Sequence, residues 1–415
     1  MLQVKKKNIF FIFLIIFFVS FFIFNIILKN STKLLTVNTV PIANSDAKKQ
    51  NICMKAVWVS YMDLNMKNTD YSEEAFKKKF NKIVDDCKKL KINSLVVHVR
   101  PFSDAVYPSK YFPWSHIVSK KQGQHPGYDP LKYMITKTHE AGMQFHAWIN
   151  PFRIQLNNIP QQLCKNHPFY YFKAKKNKIL NKYFVDFDKS KYYNPSSSSV
   201  QELIINGIKE IVKNYNIDGI HFDDYFYPEV EKGAENFDEE NYKKYLKNFK
   251  EENTLSHKDW RFKNVNDLIK KVYKEIKIIK QNVVFGISPA GNIKNNERIG
   301  ADIETWCKSK GYVDYICPQI YFSLDHPILP FRTCVNKWLN IKRDSSIKIY
   351  FGLAAYKAGS TNADSGTWSS RTDILKTEAE YVKGKCDGFM IFDYQNLTST
   401  DEKRRKEVEN LMQII

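Results

Sequence analysis

Beyond about residue 53, short apolar, β-branched or aromatic runs alternate with longer charged stretches in which apolar residues return every three or four positions. The strand-like runs are 56–63, 93–101, 144–153, 218–227, 283–289, 313–322, 348–356 and 387–394. Between them, 72–90, 130–141, 199–214, 265–280 and 372–383 carry the period of amphipathic helices, with Ser72 placed to cap the first. Eight strand–helix units predict a parallel sheet closed into a (β/α)8 TIM barrel, an α/β fold. An open doubly wound sheet binding a nucleotide would need a glycine-rich first turn, and neither GxGxxG nor GxxxxGK[ST] occurs.

The pattern before residue 53 is different. Lys5, Lys6 and Lys7 precede an apolar run, 9–28, broken only by Ser20 and Asn25. Twenty helical residues span about 30 Å, the thickness of a bilayer's hydrocarbon core. The run predicts an N-terminal membrane anchor or long signal sequence (1–29) with a cytoplasmic stub and an exported body. A polar tether (30–52) then leads to one domain, 53–415. The expected location is extracytoplasmic, anchored to the membrane or secreted if the run is cleaved.

Composition narrows the function classes. The net charge of +20 comes from 64 basic residues against 44 acidic ones, and 55 of the basic residues are lysines scattered among the acids. Nucleic-acid readers cluster arginine forks instead, so no nucleic-acid partner is expected. The seven cysteines form no CxxC pair, which leaves no zinc ribbon or thioredoxin-like motif. Neither a cofactor nor a metal is expected. No GxSxG is present to support serine nucleophile chemistry.

Chemistry in such barrels gathers where strands end. The second run ends in His98-Val-Arg100-Pro with Asp104 and Tyr107 beyond it. The third ends in His146-Ala-Trp148-Ile-Asn150 with Arg153 after it, the fourth in His221-Phe-Asp223-Asp224-Tyr225-Phe-Tyr227, and the sixth in Gln319-Ile-Tyr321. Residues two apart share a face, so Arg100, Asn150 and Asp223 are expected together at the barrel mouth. Strand parity favours Asp223 over Asp224 as the catalytic carboxylate. Asp104 is the expected partner, with Asp302 and Asp393 behind it. Arg100, Trp148, Asn150, Arg153, His221, Tyr225, Gln319 and Tyr321 are candidate substrate-binding residues.

The stretches AVWVSYMDL, VVHVRPFSDAVYPSKYFPWS, GMQFHAWINPFR, DGIHFDDYFYP, VDYICPQIYF and DGFMIFDY resemble those of glycosyl-hydrolase-like family 10, also called domain of unknown function 187. The resemblance runs from about Ala56 to Tyr394. It implies a TIM barrel with glycosidase activity on cell-envelope glycan, one branch of the family acting on peptide-free peptidoglycan. The DGIHFDDY stretch also echoes the chitinase signature DGxDxDxE, but Tyr225 stands where that family's glutamate would. Two alternatives remain open from the residues. A metal-dependent amidohydrolase or polysaccharide deacetylase could use His98, His146 and His221 beside Asp223, and a non-catalytic glycan-binding barrel needs no second carboxylate.

Overall fold

The computed structural model describes residues 53–174, 183–187, 189–228, 237–249 and 253–415. The expected anchor and tether lie outside the described residues. Among the described residues, no helix is long and apolar enough to cross a membrane.

Cys53–Ile415 forms one unit built on a closed, all-parallel barrel of eight strands. In chain order these are β1 (Met54–Val59), β2 (Ser94–Arg100), β3 (Gln144–Ile149), β7 (Gly219–Phe222), β8 (Val284–Ile287), β9 (Tyr315–Ile316), β10 (Lys348–Ala354) and β11 (Gly388–Phe392), and β11 closes on β1. The remaining strands, β4 (Arg153–Gln155), β5 (Phe184–Phe187) and β6 (Ser190–Tyr193), form a separate antiparallel sheet in the order β4-β6-β5. That sheet is an insertion after β3. The continuous run expected over 144–153 breaks at Asn150, whose side-chain oxygen accepts the backbone N–H of Arg153 (2.9 Å).

Period-two alternation divides the side chains between two layers. Val57 and Val59 of β1, Leu95 and Val97 of β2, and Phe351 and Leu353 of β10 face outward and pack with the helices. Those helices include Glu73–Lys89, Pro130–Glu140, Ser198–Asn214, His257–Ile279, Phe331–Leu339 and Ile374–Val382. The first is capped by Ser72, whose hydroxyl accepts from the N–H of Ala75, an arrangement worth about 1 kcal/mol. Met54, Ala56, Trp58, Val96, Trp148, Tyr315, Cys317 and Met390 fill the barrel interior. Glycine at 286 makes room there, because a Cβ on it would lie 2.0 Å from the Tyr315 ring.

A polar column runs through this interior. The indole N–H of Trp58 donates to Nε2 of His221 (3.2 Å), so that histidine carries its proton on Nδ1. That Nδ1 lies 2.9 Å from the Tyr315 hydroxyl, which in turn lies 3.0 Å from Nδ1 of His146. The chain of donors is therefore Trp58 to His221 to Tyr315 to His146. Both imidazoles are neutral, burial pushing His146 down to about 4 and His221 well below the usual histidine range. All seven cysteines are free thiols.

Candidate active site at the barrel mouth

The strand ends that close the barrel's carboxyl-terminal side surround a cavity of about 250 Å3. It is lined by Trp58, Ser60, Tyr61 and Met62 from the end of β1, by His98 and Trp148 from β2 and β3, and by Arg153 and Leu156 beyond β3. Asp223, Asp224 and Tyr225 follow β7, and Ser288, Gln319, Tyr321 and Phe392 complete the ring. Drug-sized pockets run to about 300–1,000 Å3, so this one suits a single sugar ring better than a length of chain.

Asp223 is the chemical centre of the cavity. Its Oδ2 accepts two hydrogen bonds, from the indole N–H of Trp148 (3.0 Å) and from Nδ2 of Asn150 (3.1 Å), while buried Oδ1 has no partner among the described residues. Burial pushes this carboxyl up to about 7, against the opposing pull of the Arg153 guanidinium. The neighbouring Asp224 adds to the rise, and the two donors subtract from it. Because both donors hold Oδ2, a proton on this group sits on Oδ1.

The surrounding groups suit a sugar. The rings of Trp58, Tyr321 and Phe392 lie mutually within 6.5 Å between centroids, and Trp148 stands 6.4 Å from Phe392. His98 stacks flat on Trp148 at 3.8 Å and 12°, fully buried, and neither of its ring nitrogens has a partner among the described residues. Burial holds its pKa well below the ordinary value, so it offers one donor and one acceptor as a neutral ring. Arg153 brings a cation to the wall. Its Nε donates to the carbonyl of Pro101 (2.9 Å), and the guanidinium lies over Phe102 (4.9 Å), Tyr225 (5.3 Å) and Tyr61 (5.7 Å).

Of the residues singled out from sequence, Asp223, Asp224, Trp148, Arg153, Tyr225, Gln319 and Tyr321 line the cavity. Gln319 donates from Nε2 to the carbonyl of Ser288 (2.8 Å), and Tyr225 stands at the rim, 44% exposed. Asn150 reaches the site through Asp223, and His221 lies among the cavity's supports, bonded to Trp58 and to Ser288 Oγ (3.0 Å).

Four expectations are corrected. Arg100 does not face the mouth. The β2–β3 ladder slips between His98, paired with Trp148, and Arg100, paired with Ile149, and this irregularity turns Arg100 outward. Its guanidinium lies over Phe112 (4.4 Å) and against Gly207 of the helix Ser198–Asn214. Asp104 does not line the cavity either. It is fully buried, its Oδ2 accepting from Gln122 Nε2 (3.0 Å) with His116 Nδ1 at 3.5 Å. The parity argument against Asp224 also fails, because β7 ends at Phe222 and alternation no longer governs the two residues that follow. Among the reserve carboxylates, Asp302 caps the helix Ile303–Lys308, and Asp393 is held by Asn396 and Gln395 outside the cavity lining.

Sequence reasoning left Trp58, Ser60, Tyr61, Met62, Ser288 and Phe392 unassigned. Trp58 shares a face with Ala56 and Phe392 with Met390, so both were findable by alternation. The histidines required by a metal-dependent reading are separated, two of them on Tyr315 and the third on Trp148. Among the described residues, no three His, Cys, Asp or Glu side chains converge to hold a metal ion.

A closed (β/α)8 barrel with a buried carboxylate among aromatic rings at its carboxyl-terminal mouth is of the glycoside-hydrolase type. Residues 53–370 match the model of the family glycosyl hydrolase-like 10, and the chain belongs to that family. It is 34% identical over 378 residues to glycosyl hydrolase YngK of Bacillus subtilis (strain 168), covering 84% of this chain and 70% of that protein. It is 31% identical over 341 residues to glycosyl hydrolase DigH of Escherichia coli (strain K12), covering 77% and 76%. Among solved structures, the catalytic domain of β-amylase from Paenibacillus polymyxa superposes with a TM-score of 0.55 at 11% identity, over 87% of this chain and 98% of that one. The PgaB (BpsB) glycoside hydrolase domain from Bordetella bronchiseptica does so with 0.53, also at 11%, over 86% and 99%. At such identities the superpositions show the fold alone.

Proposed function

We propose that this protein is a glycoside hydrolase that cleaves cell-envelope polysaccharide, with peptidoglycan glycan as its substrate and Asp223 as its general acid. One observation carries the reading: a buried carboxyl pushed up to about 7, with one oxygen held by two donors and the other unengaged, in a sugar-sized cavity walled by aromatic rings. A general acid needs a pKa near the working pH, and burial supplies it here. Protonated Oδ1 donates to the glycosidic oxygen as the bond to the anomeric carbon breaks. Trp58, Trp148, Tyr321 and Phe392 offer rings to the sugar's C–H faces, while His98 and Arg153 offer polar contacts to its hydroxyls. The apolar run 9–28 supports the export of the barrel to the outer side of the membrane, where this substrate lies.

The test is incubation of the full-length protein with peptide-free peptidoglycan strands and other purified envelope glycans, followed by mass analysis. Shorter fragments that have gained one water per cut are expected. Loss of acetyl groups without shortening would favour a deacetylase. Binding without any mass change would favour the non-catalytic barrel.

A further inference from the structure

Among the described residues, the two carboxylates that line the cavity are Asp223 and Asp224, chain neighbours just beyond β7. Glycosidases that supply their own nucleophile or base flank the scissile bond with two carboxyl groups, about 5–5.5 Å or 6.5–9.5 Å apart. In strand order β11 stands across the barrel from β7. Among the described residues, the lining on that side is Phe392, with Trp58, Ser60, Tyr61 and Met62 from neighbouring β1, and none of these is an acid. Asp63 and Asp393 belong to the same region but not to the lining. Asp63 accepts the backbone N–H of Ser60 (2.6 Å), and Asp393 is held by Asn396 and Gln395. Among the described residues the cavity's carboxylates thus come from one strand end, and the opposite wall offers a sugar rings, two hydroxyls and a thioether.

On the glycoside-hydrolase reading above, we propose that the nucleophile comes from the substrate: a sugar with a 2-acetamido group, whose N–H is held by Asp224 while Asp223 protonates the leaving oxygen. The proton on Asp223 Oδ1 passes to the glycosidic oxygen, which departs with the electron pair of its bond to C1. The acetamide carbonyl oxygen forms a new bond to C1, and the N–H proton moves to Asp224, leaving a neutral oxazoline. Water then attacks C1 and gives one proton to Asp223, the oxazoline's C1–O bond breaks with its electron pair returning to the acetamide oxygen, and Asp224 returns its proton to nitrogen. The sum is one water consumed, with the anomeric configuration retained. Trp148 and Asn150 serve this sequence by holding Oδ2 and leaving Oδ1 to move the proton. Small-molecule selectivity follows, since a glycan with a 2-hydroxyl in place of the acetamide has no nucleophile to offer.

The experiment uses the full-length protein and peptide-free peptidoglycan strands that have been de-N-acetylated and then re-acylated with either acetyl or trifluoroacetyl groups. Fluorine withdraws electrons from the carbonyl oxygen, so the trifluoroacetyl strands should be cut at least about tenfold more slowly. Asp224→Asn should slow the acetyl strands by about a hundredfold or more, as loss of a group that accepts a proton does. Equal cleavage of the two strands, or a mass-detected covalent sugar on Asp224, would overturn the proposal and leave the glycosidase reading standing. Cleavage of neither strand by the folded wild-type protein would overturn both.

Discussion

Replacing Trp148 with phenylalanine tests the role of Asp223 directly. The change removes the indole N–H on Asp223 Oδ2 (3.0 Å), keeps an aromatic ring against His98, and leaves the Asn150 donor in place. The lost donor favours the ionised carboxylate, so its removal raises the pKa. A hydrogen bond to a charged group contributes about 1.5–3 kcal/mol, and about 1.4 kcal/mol corresponds to one pKa unit. The carboxyl, at about 7 in the wild type, should therefore rise by about one to two units. A general acid works in its protonated form, so the alkaline limb of kcat/KM should move up by the same amount. The assay is the pH dependence of kcat/KM on peptide-free glycan strands, with circular dichroism to establish that the variant folds. An alkaline limb that stays in place, or moves toward lower pH, would refute the assignment of the acid. If the acidic limb moves up instead, Asp223 works as the ionised group and the roles of the two aspartates are exchanged.

Two other outcomes follow from the placement of side chains. Arg100→Met should leave kcat/KM close to that of wild type, because the guanidinium lies over Phe112 and not in the cavity lining; a selective rise in KM would return Arg100 to the site. Exhaustive chelation should leave turnover unchanged, since His98, His146 and His221 are held apart by Trp148 and Tyr315; loss of turnover restored by a divalent ion, with the fold intact throughout, would favour the metal-dependent alternative.

The barrel was legible because its signal is periodic and repeated. Each of the eight expected runs contains a barrel strand or part of one, and the helix expected over 72–90 is Glu73–Lys89 with the expected cap. Strand ends were read less well. Apolar and aromatic residues continue past β7 through Phe226 and Tyr227, which are buried in the packing outside the barrel. The hydrophobic pattern therefore does not mark the end of the strand at Phe222, and parity does not extend to Asp223 and Asp224. Arg100 failed for a different reason. Val99 and Arg100 both face outward after the slip in the β2–β3 ladder, and a one-residue slip leaves no mark in composition or periodicity. Asp104 lies in the loop after β2, and its carboxylate is committed to Gln122, a contact that depends on how that loop folds back.

Asp223 is also where stability and chemistry oppose each other, and Asp223→Asn makes the opposition measurable. The carboxyl has a folded pKa of about 7 against an ordinary value of 3.8. Between these values the folded protein binds a proton that the unfolded chain has released, so folding is favoured increasingly as pH falls from about 7 toward about 4. Above about 7 the folded state must keep a buried charge that water would solvate better. Roughly three pKa units correspond to at most about 4 kcal/mol, and the sign is a loss of stability as pH rises. Asparagine can accept the Trp148 and Asn150 donors through its oxygen and cannot ionise. Asp223→Asn should therefore melt at a higher temperature than wild type at pH 8, by an amount that shrinks toward zero near pH 4, while losing at least about a hundredfold in turnover. A carboxylate kept for structure would behave in the opposite way, its removal lowering the melting temperature most where it is ionised. A lower melting temperature for Asp223→Asn at pH 8 would show that the buried charge supports the fold, and the case for Asp223 as an acid retained at the expense of stability would fall with it.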